Sequence, residues 1–276
     1  MVPSVRSVIL ALAIAVSVAP PPVSAAQTEI TVGVRKSMHA TLVAPDGPGP
    51  YPGVLVLHTS GGLEDADLAF ATRLAGEGYV CLVPAFMAAY GLSAQSRDEA
   101  FTRDGDAIYA DLVSALDTLQ NNPKVQGSKI AAIGFSAGGY FAVWLALTNK
   151  VQAAVGYYGA YSGAGTDKEL THFERLANAS SAPILILHGS DDRTVPVHAA
   201  LRLASILENV KTPYQIKIYP NAGHLFDRAD AARPAGGYMR SGRGPARGGT
   251  DAGDSDANID AWTRTMDFLR TYVSAR

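Results

Sequence analysis

The sequence predicts an α/β protein in which a mostly parallel, twisted sheet carries helices on both faces. Short apolar runs of strand length alternate along the chain with helical patterns, which is typical of parallel sheets. The runs are continuously apolar rather than alternating, as expected for strands that are buried on both faces. One such strand leads through a glycine-rich turn directly into an apolar helix, over residues 129–147.

Length and composition permit one large domain. The 276 residues are 47% apolar and 17% charged, which supplies a substantial core and excludes global disorder. The net charge of −2 argues against nucleic acid as the main partner. Cys81 is the sole cysteine, so no intramolecular disulfide can form, and its apolar surroundings predict a buried, inert thiol. The sequence leaves the oligomeric state open.

The N-terminus is predicted to be a signal peptide over residues 1–26. Arg6 supplies a positive charge, residues 7–18 form an apolar run, and small residues at 23–26 follow a proline-rich break. The apolar run is too short to span a bilayer comfortably. We therefore expect a periplasmic or secreted protein without a stable membrane span after cleavage, with residues 27–276 forming a single domain. An uncleaved anchor is the alternative.

In the first half of the chain, apolar runs mark the strands. Residues 29–34 and 40–43 are predicted as an extended pair, and residues 54–57 and 80–83 as buried strands. Residues 66–78 between these strands have a helical pattern that is ended by two glycines. The next helix, residues 106–119, is amphipathic, and its apolar positions are Ile108, Leu112, Val113, Leu116 and Leu119.

The second half of the chain continues this alternation. Strands are predicted at 153–157, 184–187 and 215–219, and helices near 198–207 and 259–273. Residues 231–256 interrupt the pattern with seven glycines, and their charged residues are Arg233, Arg240, Arg243, Arg247, Asp251, Asp254 and Asp256. The low apolar content predicts a surface loop with partial disorder. A mobile lid or an anion-attracting flap is the alternative.

The turn at residues 134–138, Gly-Phe-Ser-Ala-Gly, matches the pattern G-x-S-x-G of a nucleophile elbow. A serine lifted above a sheet on a strained turn leaves space only for small residues two positions away, and both are glycine. We predict Ser136 as a nucleophile, with the N–H of Ala137 directed at the developing oxyanion. The strand–turn–helix setting predicts the α/β-hydrolase fold. The alternative is a glycine-rich turn with an incidental serine.

A serine nucleophile needs a general base, and the base needs a carboxylate that orients it. On this fold both follow the serine along the chain, the acid first. Two carboxylates, Asp191 and Asp192, follow one of the later strands, and His224 follows the next one. We predict His224 as the base and Asp192 as the acid, from its spacing to Gly189 and Pro196. Asp191 is the alternative.

The second oxyanion donor is predicted in the loop His58–Leu63, which follows an early buried strand. The N–H of Ser60 is assigned to this role, and Thr59 or Gly61 replaces it if the register differs. His58 is expected to fix this loop, and His188 to support the acid loop through a hydrogen bond. The histidine and carboxylate spacings do not resemble a zinc or calcium site, and we expect neither a metal nor a cofactor.

Taken together, these motifs make the chain similar to the dienelactone hydrolase family of α/β-hydrolases over nearly all of residues 50–273. The likeness is carried by the loop after residue 57, the doubled glycine at 138–139, and the segments 189–196 and 223–226. It implies hydrolysis of small carboxylic esters or lactones through a Ser–Asp–His triad and an acyl-enzyme. A peptidase or other acyl hydrolase on the same fold is one alternative. A non-catalytic binding protein is another.

The departures from the family pattern concern both the nucleophile and the substrate. The best-known members carry a cysteine nucleophile and a glutamate that holds it, where this chain has Ser136 and Thr59. Of two arginines that bind the substrate carboxylate in the family, only the one matching Arg228 is present. The resemblance therefore implies that Arg228 contacts substrate, with neutralisation by the adjacent Asp227 and a broader range of esters as the alternative. Phe86 and Tyr158 are candidates for an aromatic pocket wall, with core packing as the alternative.

Overall fold

Eight strands form one sheet in the computed structural model, which describes residues 25–162, 168–228 and 248–273. The strands are β1 (Ala25–Val32), β2 (Met38–Pro45), β3 (Tyr51–Leu57), β4 (Val80–Pro84), β5 (Val125–Phe135), β6 (Ala153–Tyr157), β7 (Ile184–Gly189) and β8 (Tyr214–Tyr219). Their order in the sheet is β1-β2-β4-β3-β5-β6-β7-β8. Among these described strands, the pairs β1–β2 and β2–β4 are antiparallel, and the other five pairs are parallel. The predicted, mostly parallel sheet is confirmed.

Helices cover both faces of the sheet. The seven α-helices of the described residues are α1 (Asp65–Gly76), α2 (Phe86–Ala89), α3 (Gly105–Gln120), α4 (Ala137–Leu147), α5 (Lys168–Leu176), α6 (His198–Val210) and α7 (Asp251–Tyr272). Side chains of α3, α4, α5 and α6 pack in one core layer, and those of α1 and α7 pack in the other. The chain therefore builds a three-layer sandwich with the sheet in the middle.

Strand β3 shows why the strands read as continuous apolar runs. Leu55 and Leu57 point into the layer of α3 and α4, while Val54 and Val56 point into the layer of α1 and α7. All four side chains are fully buried, because successive residues of a strand face opposite sides. Cys81 is buried in β4, as predicted, and burial raises the pKa of its thiol.

The last helix begins earlier than its apolar pattern predicts. Helix α7 starts at Asp251 rather than near residue 259, because Thr250 caps it by accepting a hydrogen bond from the N–H of Gly253 at 3.0 Å. The prediction of a loop over 231–256 is therefore wrong for residues 251–256. Residues 231–247 of that segment lie outside the described part of the chain, and so do residues 1–24 of the predicted signal peptide.

Two helices are absent from the sequence prediction. Helix α2 is a single turn after Pro84, and helix α5 is largely polar, with Leu170 and Phe173 buried on one side. Across the described ranges, none of the helices combines the length and apolar character needed to cross a membrane.

Candidate active site

The turn between β5 and α4 holds Ser136 in a strained conformation. Its backbone has φ of 53° and ψ of −111°, a region that residues with a side chain rarely adopt. The two flanking glycines make the turn possible. A Cβ on Gly134 would lie 2.1 Å from the carbonyl oxygen of Gly138, and a Cβ on Gly138 would lie 2.1 Å from that of Leu57. Contacts with the backbone therefore exclude any side chain at both positions.

Three of the predicted site residues come together above the carboxyl ends of the parallel strands. The Oγ of Ser136, after β5, lies 3.1 Å from Nε2 of His224, after β8. The other imidazole nitrogen, Nδ1, lies 2.7 Å from Oδ2 of Asp192, after β7. All three residues are at most 6% exposed. This chain of contacts lets His224 accept a proton from Ser136 while Asp192 holds the imidazole in the required tautomer.

The acid is held by its own loop. The second carboxylate oxygen of Asp192, Oδ1, accepts hydrogen bonds from the backbone N–H groups of Thr194 and Val195, both at 2.8 Å. Burial alone raises the pKa of Asp192, but the facing imidazole of His224 and the hydrogen bonds from His188 and His224 outweigh it. The pKa is held well below its usual range, so the residue is ionised. By contrast, Asp191 is exposed and accepts a hydrogen bond from the hydroxyl of Ser190.

His188 supports the acid loop as the sequence predicts. Its Nε2 lies 2.9 Å from the carbonyl oxygen of Val195 and 3.4 Å from Oδ2 of Asp192. A carbonyl oxygen only accepts, so Nε2 carries the proton and donates it. The ring is fully buried, and among the described residues its Nδ1 has no hydrogen-bond partner. The imidazole therefore fixes the loop and has no proton-transfer contact with Ser136.

Asp254 is a supporting residue that sequence reasoning missed. It lies in the first turn of α7 and is 2% exposed, and its Oδ1 accepts a hydrogen bond from the N–H of Gly223 at 2.7 Å. Gly223 directly precedes His224, so the last helix fixes the loop that carries the base. The polar, glycine-rich segment around Asp254 gave no local signal of burial.

The loop after β3 lies beside the nucleophile turn. Gly138 packs against the carbonyl oxygens of Leu57 and His58, which brings the start of α4 next to this loop. The N–H of Gly61 is bonded to Oγ1 of Thr59 at 3.1 Å. Of the donors predicted in this loop, Gly61 is therefore already bonded within the loop, and the assignment to Ser60, with Thr59 as its alternative, stays a prediction.

His58 fixes the same loop from inside the core. Its Nδ1 donates a hydrogen bond to the carbonyl oxygen of Thr59 at 2.6 Å. The ring stacks on Phe86, with centroids 4.2 Å apart and an interplanar angle of 10°. Burial lowers the pKa of His58 to about 4, so its imidazole is neutral near pH 7.

The two residues predicted as an aromatic pocket wall, Phe86 and Tyr158, are buried in this structure. Phe86 and Tyr158 are both 0% exposed, so neither ring can touch a ligand as the side chains stand. Phe86 backs the oxyanion loop through His58. Tyr158 packs against the imidazole of His224, with ring centroids 4.5 Å apart, and its hydroxyl donates to Asp227. Both rings form the inner wall behind the site, which is the alternative that core packing offered.

Arg228 lies close to the site but is already paired. Its guanidinium donates hydrogen bonds to the carboxylates of Glu64 and Asp67, at the start of α1. The resemblance implied a contact with substrate, and in this structure those donors bind the protein's own acids instead. Glu64 and Asp67 belonged to no motif, so their part in the site was not predicted.

Comparisons with known proteins identify the same fold. The model of the dienelactone hydrolase family matches residues 38–273. A relative from Methylorubrum extorquens, assigned as a carboxymethylenebutenolidase, is 28% identical over 233 residues, which cover 81% of this chain and 73% of the relative. A relative from a Bradyrhizobium species, assigned as a 2-oxo-3-(5-oxofuran-2-ylidene)propanoate lactonase, is 26% identical over 250 residues, covering 87% and 92%. The structure of an assigned dienelactone hydrolase from Klebsiella pneumoniae aligns with a TM-score of 0.70 and 21% identity, covering 90% of this chain and 100% of that one, which shows the α/β-hydrolase fold.

Proposed function

Because this chain belongs to the dienelactone hydrolase family, whose members hydrolyse ester or lactone bonds, we propose that Ser136, His224 and Asp192 form its catalytic triad. The substrates are small carboxylic esters or lactones. The observation that carries the proposal is the continuous set of contacts from Ser136 Oγ to His224 at 3.1 Å and from His224 to Asp192 at 2.7 Å.

The geometry supports a two-step acyl transfer. Ser136 Oγ attacks the carbonyl carbon while its proton moves to Nε2 of His224, and the N–H groups of Ala137 and Ser60 bind the oxyanion. The tetrahedral intermediate then collapses: the bond to the leaving oxygen breaks, and His224 returns the proton to it. Water repeats the attack on the acyl-enzyme with His224 as base, which releases the acid and restores Ser136.

A serine nucleophile fits the surroundings of this turn. A serine hydroxyl is not stored as an anion near neutral pH, so it depends on a base that acts during attack. His224 is placed to do so, and the residue at the family's glutamate position, Thr59, is neutral and bonded to Gly61. The site is therefore built for base-assisted serine chemistry rather than for a resting thiolate.

Covalent labelling tests the proposal directly. A fluorophosphonate probe should modify the folded protein at Ser136, and Ser136→Ala should remove the label and lower kcat on a p-nitrophenyl ester by roughly 10⁶-fold. A folded protein that takes up no label would contradict the enzyme proposal and favour a binding protein. Turnover of p-nitrophenyl esters of increasing chain length, with an enol-lactone beside them, then defines the acyl preference.

Export is a second, separate proposal. We propose that residues 1–26 direct the protein to the periplasm or the medium, on the charged, apolar and small-residue regions of this segment. N-terminal sequencing of protein recovered from the periplasmic fraction tests this. A first residue near 27 supports export with cleavage, whereas recovery of the full chain in the cytoplasm contradicts it.

A further inference from the structure

The guanidinium of Arg228 is enclosed by three carboxyl groups, those of Glu64, Asp67 and Asp227. We call these four residues the Arg228 cluster. Nη1 bonds Glu64, Nη2 lies 2.9 Å from Oδ1 of Asp67, and Nε lies 3.8 Å from Oδ2 of Asp227. The arginine side chain is 11% exposed. Each nitrogen of the fork thus faces an acid of the protein itself. Nε makes no hydrogen bond at 3.8 Å, whereas Nη1 and Nη2 are each bonded to a carboxylate of the protein. Bidentate recognition of an incoming carboxylate would therefore have to compete with the protein's own acids.

The Arg228 cluster carries no net positive charge. Burial raises the pKa of Asp67 to about 6, which leaves this carboxyl mostly ionised above pH 7. Burial also raises the pKa of Asp227, whose Oδ1 accepts the hydroxyl of Tyr158. With Asp227 protonated, the one positive charge of Arg228 still meets two negative charges, those of Glu64 and Asp67. The balance is then −1, and it becomes −2 when Asp227 ionises.

The cluster adjoins both loops that bind the reacting group. Arg228 follows His224 by four residues, and Glu64 follows Ser60 by four residues. Tyr158 connects the two regions, because its ring packs against His224 and its hydroxyl bonds Asp227. Glu64 is the acid of the cluster nearest to solvent, with 32% of its side chain exposed, against 1% for Asp67 and 9% for Asp227. Its charge is therefore the most accessible of the three.

We infer that the Arg228 cluster makes this site prefer uncharged acyl groups and disfavour acyl groups that carry a carboxylate. The inference rests on the proposed function, since it concerns the substrate of the same triad. A substrate carboxylate near the cluster meets a net negative charge and a guanidinium whose three nitrogens already face carboxyl groups, so little attraction offsets its desolvation. A neutral ester or lactone has no such cost. Arg228 is then an internal counter-ion of the protein rather than an anchor for substrate.

A matched pair of substrates tests the inference. Mono-p-nitrophenyl adipate carries a free carboxylate, and its methyl ester is the same molecule with that charge masked. For the protein as it stands, kcat/KM should be higher for the neutral ester by about tenfold at low ionic strength. Added salt should reduce the preference, because it screens repulsion between exposed charges. A preference that comes only from fit to the methyl group would not respond to salt.

Substitution of Glu64 assigns the effect to the cluster. Glu64→Gln removes the solvent-facing charge with little change of shape, and it should raise the anionic-to-neutral ratio of kcat/KM by about threefold to tenfold. Asp65→Asn is the matched control. It removes the same charge from the same helical turn at an exposed position outside the cluster, and it should change the ratio by less than about twofold.

The outcomes separate the inference from the proposed function. Hydrolysis of the neutral ester together with equal or faster hydrolysis of the acid overturns the inference and leaves the triad in place. This includes the case in which arginines of residues 231–247 bind the anion. The inference also fails if the anionic-to-neutral ratio of kcat/KM is unchanged by added salt and by Glu64→Gln. If the variant folds poorly, the salt dependence of the wild-type protein still decides the question. Folded protein that hydrolyses neither ester overturns the proposed function, and the inference falls with it.

Discussion

The substitution Asp192→Asn gives the sharpest test of the triad, because the structure fixes how the new amide must lie. Oδ1 of Asp192 accepts two backbone N–H groups, from Thr194 and Val195, at 2.8 Å each. An asparagine keeps both bonds only if its amide oxygen takes this position. Its NH₂ group then replaces Oδ2, 2.7 Å from Nδ1 of His224, and donates where the carboxylate accepted.

This orientation forces the wrong tautomer on the base. With a donor facing Nδ1, the neutral imidazole must carry its proton on Nε2, and that nitrogen can no longer accept the proton of Ser136. The precedent for a triad aspartate is a loss of about 10⁴-fold in kcat, which corresponds to about 5.4 kcal/mol of barrier. We expect a loss of this size, with KM changed little, because substrate binding does not involve Asp192.

Initial rates on a p-nitrophenyl ester measure the effect, and circular dichroism with thermal unfolding establishes that the variant is folded. Asp191→Asn is the control, since its side chain is exposed and bonds Ser190 rather than His224. It should retain activity within about threefold of the wild type. A folded Asp192→Asn variant with less than about a tenfold loss, or a larger loss in Asp191→Asn, would refute the tautomer argument.

Two further predictions concern residues that support the site. Asp254→Ala leaves the buried N–H of Gly223 without its 2.7 Å acceptor, so the free energy of unfolding in urea should fall by about 1–3 kcal/mol and kcat should fall with it, while Asp254→Asn keeps an acceptor and should recover most of both. Burial lowers the pKa of His58 from 6.5 to about 4, so the unfolded chain takes up a proton that the folded chain refuses as the pH falls through this window. The contribution of His58 to the free energy of unfolding is complete above pH 6.5 and should fall by about 3 kcal/mol towards pH 4. In His58→Asn, which still donates to Thr59, the loss of free energy of unfolding between pH 6.5 and pH 4 should be smaller by that amount. Equal pH dependence of unfolding in both proteins would contradict the assignment.

The sheet and the residues of the proposed triad can be predicted from sequence because their signals are local. Strands buried on both faces must be apolar throughout, and the turn around Ser136 admits only glycine at the flanking positions. The order of acid and base along the chain follows from the fold once the elbow is found. Placing Asp192 rather than Asp191 beside His224 needed only the alternation of adjacent side chains and the spacing of the loop.

The parts that were missed depend on contacts between distant segments. Asp254 meets Gly223 across 31 residues, and Arg228 meets Glu64 across 164 residues. No periodicity or motif encodes such pairs, so the sequence alone predicts a substrate contact for an arginine that the fold pairs with distant acids. Phe86 and Tyr158 illustrate the same limit, since an aromatic residue near a site can equally line the pocket or support it from behind.

The placement of β8 has a consequence for how this protein loses its activity. The strand order ends at β8, which pairs with β7, yet its outgoing loop carries His224. The nucleophile instead follows β5, which lies between β3 and β6 inside the sheet. Edge elements open locally at a lower free energy than central ones, so the proposed catalytic residues are divided between a less protected and a more protected part of the fold. Warming should therefore inactivate the protein first by releasing its base, while the central strands and the serine turn are still folded.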